Sequence, residues 1–184
     1  MNSFVIEDLP LSDLKLIRRS KKSDSRGFLS RLYCTKELTS AGWDKSIDQI
    51  NQTLTKKKGT LRGMHYQNPP HAESKLVTCI KGEVWDVVVD LRKSSKTFLK
   101  CHAEILSEKN INSLLVPEGF AHGFQALTPD CMMIYLHSEA YNPSSESGIN
   151  YSDPILNINW PLEISEISQR DQNHNFLNKD FLGI

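Results

Sequence analysis

The residues best equipped for chemistry lie in Gly59-Thr60-Leu61-Arg62-Gly63-Met64-His65-Tyr66-Gln67-Asn68-Pro69-Pro70 and, just past that turn, Lys75. Two cations beside an imidazole favour its neutral form, the form a general base needs. The same cations suit a dianionic ligand such as a diphosphate. The competing reading is a buried, hydrogen-bonded histidine beside two solvated cations, because ion-pair networks mimic functional sites. The stretch reads as a short strand running into a proline-stopped turn. Alternation puts Met64 and Tyr66 on one face and Gly63, His65 and Gln67 on the other.

The elements that must position these groups are short strands. Leu76–Ile80 and Glu83–Leu91, β-branched runs on either side of Lys81-Gly82, predict a hairpin. On its second arm Trp85, Val87, Val89 and Leu91 share a face, opposite Val84, Asp86, Val88 and Asp90. Further strands are expected at Lys100–Leu106, Ser113–Val116, Gly123–Leu127 and Met132–His137. The N-terminus reads as an edge strand or arm, and Asp24-Ser25-Arg26-Gly27 as a turn feeding a strand. Lys36–Trp43 predicts one short helix closed by Gly42, and Glu163–Gln172 a helical tail. Many short strands without alternating helices imply an all-β, double-sheet jelly roll with short helices at the periphery and C-terminus. Such a barrel would gather His65, Gln67, Lys75, His122 and Tyr135, from separate strands and turns, into one pocket.

Composition narrows the partners. The chain has 184 residues, 39% hydrophobic, with 22 basic and 22 acidic side chains. That size suits one domain spanning residues 1–184. A formal charge of zero argues against nucleic acid or an anionic membrane as partner. The acids of the first residues do not fit a signal peptide, and no apolar run is long enough to span a bilayer. Cys34, Cys79, Cys101 and Cys131 form no Cys-x-x-Cys pair. The expectation is a reduced, cytoplasmic protein.

Pro117-x-Gly119-x-x-His122 resembles the second half of the cupin metal signature. The first half needs His-x-His, and the chain offers His65-Tyr66-Gln67. His65, His122 and Glu73 remain a conceivable metal triad, but Arg62 and Lys75 beside it would repel a divalent cation. No metal is expected.

Over most of its length the sequence resembles the dTDP-4-dehydrorhamnose 3,5-epimerase family. The resemblance rests on Asp24-x-Arg26-Gly27, Gly59 to Gln67, Lys75-Leu76-Val77, Gly82-Glu83-Val84-x-Asp86-Val87-x-Val89-Asp90-Leu91-Arg92, Pro117 to Phe124, Tyr141-x-Pro143, Gly148-Ile149, Asp153-Pro154, Ile158-x-Trp160-Pro161 and Ser168-x-x-Asp171. It implies a cupin-like barrel and cofactor-free epimerisation of a nucleotide-diphospho-4-keto-6-deoxyhexose at C3, C5 or both, by a homodimer. It further implies that His65 is the general base with Asp171 as its partner, that Tyr135 is the acid on the opposite sugar face, and that Lys75 steadies the oxygen at C4. Arg62 and His122 would contact diphosphate or sugar, and Gln49 and Asn51 the nucleotide. Tyr141 would be a second pocket tyrosine, and Arg26 would reach a ligand in the neighbouring subunit.

The residue types agree with that chemistry. A C4 ketone acidifies the C–H bonds at C3 and C5, and inversion needs the proton returned from the other side. Taken without the resemblance, Tyr135 on an apolar strand is a core tyrosine and Asp171 a helix cap or solvated acid. His71, His102, His137 and His174 read as surface or structural residues. Leu29 and Arg31 stand where the family shows Phe and Glu, which leaves the nucleobase open between dTDP and CDP. A metal-dependent cupin enzyme and a non-catalytic sugar-nucleotide-binding module are the alternatives.

Overall fold

The structure, a computed structural model, describes residues 3–184; Met1 and Asn2, the start of the expected N-terminal arm, lie outside it. In chain order the strands are β1 (Phe4–Asp8), β2 (Lys15–Arg19), β3 (Lys21–Asp24), β4 (Gly27–Ser30), β5 (Gln49–Thr55), β6 (Thr60–Gln67) and β7 (Lys75–Lys81). They continue as β8 (Glu83–Asp90), β9 (Cys101–Ser107), β10 (Asn112–Val116), β11 (Phe120–Ala126), β12 (Cys131–His137), β13 (Glu146–Gly148) and β14 (Glu166–Ile167). The helices are α1 (Thr35–Leu38), extended by a 3₁₀ turn at Thr39–Ala41, and α2 (Gln169–Gln172).

One six-stranded sheet runs β1-β2-β10-β7-β12-β5, and a second runs β13-β6-β11-β8-β9 with β14 also on β6. A separate β3–β4 hairpin stands off both. This is the expected double-sheet architecture, with one correction. β7 and β8 do not pair as a hairpin: β7 bonds β10 and β12, whereas β8 bonds β11 and β9. The chain crosses from one sheet to the other at Gly82, whose φ of 76° suits glycine. Two β-branched runs around a glycine turn carry the same local signal whether they pair or part.

Apolar side chains fill three spaces. Between the sheets lie Leu16, Val77, Leu114 and Met133 from the first sheet, and Val84, Val88, Leu106 and Phe124 from the second. The outer face of the first sheet buries Ile17, Leu76, Leu115 and Leu136 against Leu38 and Trp43, around α1. The outer face of the second buries Met64, Val87, Val89 and Leu91 beneath the C-terminal segment, where Trp85 meets Trp160 edge-on. Being covered on both faces explains why β7, β8 and β12 are apolar almost throughout. Their inward polar residues are therefore the exceptions that need a reason.

The tail differs from expectation. Glu166–Ile167 is extended and pairs in parallel with Thr60–Leu61, and only Gln169–Gln172 is helical. Ser168 caps that turn, its hydroxyl accepting from the Asp171 N–H at 3.0 Å. Asp171 is thus free of the capping role and points back toward β6. No helix among the described residues is long and apolar enough to cross a membrane.

Candidate active site

A cavity of about 580 Å³ opens between the sheets. Arg62 and His65 on β6 and His122 on β11 line it from one sheet. Asn51 and Thr53 on β5, Lys75 on β7, and Tyr135 and His137 on β12 line it from the other.

Simple alternation would turn Arg62 away from His65. The pairing of β6 with β11 shifts, from His122↔His65 to Phe124↔Arg62, so two steps on β11 match three on β6. That β-bulge returns Arg62 to the cavity side. It depends on glycine twice over. Gly63 adopts φ 129°, and a Cβ there would lie 2.5 Å from the Cα of Gly123. A Cβ on Gly123 would lie 2.8 Å from the Arg62 carbonyl oxygen. Arg62 is then tied to β5, its Nε donating to Thr55 Oγ1 at 3.1 Å.

The other edge of β6 explains the place of Asp171. β13 covers His65–Gln67 and β14 covers Thr60–Leu61. In the gap between them the Gly63 N–H donates to Asp171 Oδ2 at 3.2 Å, so a carboxylate completes the ladder. Its other oxygen, Oδ1, lies 2.8 Å from His65 Nε2. Burial would raise the Asp171 carboxyl, but His65, the Gly63 amide and Ser168 outweigh it and hold it well below the usual carboxylate range. A fixed carboxylate at Nε2 selects the tautomer in which Nδ1 keeps its lone pair. Arg170 stands alongside, its Nη2 3.1 Å from His65 Nε2 and its Nη1 2.9 Å from Glu146.

On the facing sheet, Tyr135 has its hydroxyl 3.4 Å from Thr53 Oγ1. Burial pushes its phenol above the ordinary value, so it stays a proton donor. Lys75 Nζ lies 3.0 Å from Glu73 Oε1, both side chains only 9% exposed. Glu73 Oε2 is 2.7 Å from His137 Nδ1. Burial works to raise the Glu73 carboxyl, and His137 and Lys75 together bring it below its ordinary value. His122 Nε2 meets both oxygens of Asp86, at 3.0 and 2.9 Å. Asp86 is fully buried, which pushes its carboxyl up against the pull of His122.

The structure therefore gathers His65, Asp171, Lys75, Tyr135, Arg62, His122 and Asn51 around one space. Other expected site residues lie outside its lining. Gln67 is buried, its amide donating to the carbonyls of His71 and Ala140 and its oxygen accepting from the Asn142 N–H, so it shapes loops instead of facing a ligand. Gln49 bonds Asn51 and the Tyr141 N–H at the rim. Tyr141 is half exposed and donates to Glu146, which links it to Arg170. Arg26 pairs with Asp24 on the exposed β3–β4 hairpin, and Arg31 with Glu37.

Two of the histidines read as surface or structural residues lie at the site. His137 lines the cavity, and His174 packs edge-on against His65 with ring centroids 5.6 Å apart. The signal for His137 was its place two positions from Tyr135, hence on the same face of β12. His65, His122 and Glu73 do not form a ligand set: each is paired elsewhere, with Asp171, Asp86 and Lys75–His137. Among the described residues, the potential ligand atoms that converge belong to His65, Asp171 and His174, all within 4.8 Å of one another. The Arg170 guanidinium beside His65 Nε2 opposes a cation there.

The chain is similar to known proteins in sequence and in fold. The profile of the dTDP-4-dehydrorhamnose 3,5-epimerase family matches residues 8–179. The dTDP-4-dehydrorhamnose 3,5-epimerase of Shigella flexneri is 38% identical over 93% of this chain and 95% of its own. Among solved structures, the enzyme of that name from Bacillus anthracis, with TDP and PPi bound, superposes with a TM-score of 0.91 at 37% identity, over 95% of this chain and 99% of that one. The dTDP-6-deoxy-D-glucose-3,5-epimerase of Legionella pneumophila, in complex with dTDP-4-keto-L-rhamnose, gives 0.89 at 35% identity, over 94% and 92%.

Proposed function

The chain belongs to the dTDP-4-dehydrorhamnose 3,5-epimerase family, and from that premise we propose that it inverts C3 and C5 of a dTDP-4-keto-6-deoxyhexose through an enolate. It is an isomerase of deoxysugar-nucleotide biosynthesis with a cupin-like jelly roll. The observation that carries the reading is the division of acid and base between facing sheets, with His65 and Asp171 on β6 and its covering edge, and Tyr135 on β12.

Nδ1 of His65 takes the proton from the carbon next to the ketone, and Asp171 stabilises the imidazolium that results. The electron pair moves onto O4, where the Lys75 ammonium acts as a fixed oxyanion partner. Tyr135 returns a proton from the opposite face and inverts the centre. Once solvent has taken the proton from His65 and returned one to Tyr135, repeating the cycle at the other flank of the ketone gives the second inversion. The steps exchange protons only and need no cofactor. Arg62 supplies positive charge for the diphosphate.

A homodimer belongs to the same proposal. β5 is an unpaired sheet edge with Ile50 and Leu54 exposed, and the projecting β3–β4 hairpin exposes Phe28 and Leu29 beside Arg26. Such apolar edges favour association. The experiment is turnover of the dTDP-linked and CDP-linked 4-keto-6-deoxyhexoses side by side. Epimerised product from the dTDP sugar is expected; product from neither would overturn the function, and product from CDP alone the nucleobase.

A further inference from the structure

The mechanism above gives no task to the His137–Glu73 couple, which sits largely out of solvent in the cavity wall. His137 is 12% exposed and Glu73 9%. Only His137 lines the cavity; Glu73 lies behind it and bridges to Lys75 at 3.0 Å. Nδ1 of His137 is committed to Glu73 at 2.7 Å, which leaves Nε2 as the ring nitrogen open to a ligand. Its protein neighbour is Asn51 Nδ2, 3.5 Å away, a contact at the outer limit of hydrogen bonding.

The position of that nitrogen is set by the sheet. His137 pairs directly with Lys75 across β12 and β7, and Tyr135 pairs with Val77. His137 and Tyr135 face the same way, with ring centroids 6.2 Å apart and planes 30° apart. His137 is therefore next to both the group that holds O4 and the group that returns the proton. A buried carboxylate behind a histidine fixes tautomer and orientation. With Nδ1–H donating to Glu73, Nε2 is an acceptor. The sugar atom that both neighbours O4 and can donate is the hydroxyl on C3, because C5 carries the methyl group and the ring oxygen.

The geometry points to His137 as a specificity-determining residue that accepts a hydrogen bond from the C3 hydroxyl of the sugar, with Glu73 as its positioning residue. This assignment rests on the epimerase reading. It makes the cavity select 3-hydroxy over 3-deoxy ketosugars, because the analogue leaves a buried acceptor unpaired.

Two substitutions separate contact from packing. Asparagine at this position can still donate to Glu73, where Nδ1 now stands, but reaches no further. Glutamine reaches the place of Nε2 and gives up the Glu73 bond. Affinity would be measured by calorimetry for dTDP-6-deoxyglucose, whose C4 hydroxyl prevents enolisation, and for its 3-deoxy counterpart. The wild type should prefer the 3-hydroxy ligand by about 10-fold, the worth of one such hydrogen bond. His137→Asn should lose that preference, His137→Gln should keep most of it, and Glu73→Gln should lower it although Glu73 lines no part of the cavity. A preference unchanged in His137→Asn, or absent from the wild type, overturns the assignment alone. A wild type that binds neither sugar nucleotide and washes no deuterium into a ketosugar overturns the epimerase reading with it.

Discussion

Asp171 lies 106 positions along the chain from His65, yet its Oδ1 stands 2.8 Å from the imidazole Nε2. The contact exists because β13 and β14 leave a gap along β6, and the carboxylate fills it by accepting the Gly63 N–H. One residue thus closes a sheet edge and holds the imidazole of His65.

Asp171→Asn keeps the shape but removes the charge that stabilises the imidazolium. The expected loss is about 10²-fold or more in kcat, with KM little changed. Equal activity of variant and wild type would show that His65 needs no partner. Stability should change with pH as well. The folded-state carboxyl is held below the ordinary range, so its contribution is present above about pH 4 and fades as pH falls below that unfolded value. Thermal melts should therefore separate wild type from variant at pH 7 and converge in strong acid; a constant gap would contradict the linkage.

Tyr135→Phe should still lose the C–H proton, because His65 is untouched, but should fail to invert. Proton NMR of a reaction in deuterated water would then show exchange with retention. Normal inversion at both carbons would remove Tyr135 from the mechanism.

Lys75→Met removes the charge that steadies the enolate. A fall in kcat of about 10²–10³ is expected, the cost of one oxyanion partner. The same change strips Glu73 of a buried counter-charge, so a lower melting temperature should accompany it. A variant with wild-type kcat would place the enolate charge elsewhere.

Gly123→Ala tests the bulge. The new Cβ would meet the Arg62 carbonyl at 2.8 Å and Met64 Sδ at 2.7 Å, forcing β6 to move. A loss of about 1–3 kcal/mol is expected from overpacking, and activity should fall through displacement of Arg62 and His65. A variant of full activity and stability would mean that the two strands have room to spare.

What could be read in advance followed from periodicity. The alternation of Trp85, Val87, Val89 and Leu91 against Val84 and Val88 is the division between the outer and inner cores. What escaped depended on contacts between distant segments. The side of the barrel that Arg62 faces turns on a register shift against β11, which no local pattern contains. The parting of β7 from β8 reflects partners supplied by β10, β12, β11 and β9. His137 read as a surface or structural residue because its carboxylate, Glu73, is 64 positions away in the chain and comes close only when β7 and β12 pair. The dyad was legible only through the family resemblance, since the polar tail gives Asp171 no periodic context.

The central claim is that His65 removes a proton from carbon. The direct measurement is deuterium incorporation at C3 and C5 of a dTDP-4-keto-6-deoxyhexose incubated with the protein in deuterated water, followed by mass spectrometry and proton NMR. The wild type should label both carbons, and His65→Ala should label neither above the rate without enzyme. Labelling by His65→Ala at the wild-type rate, or none by the wild type, would contradict the account.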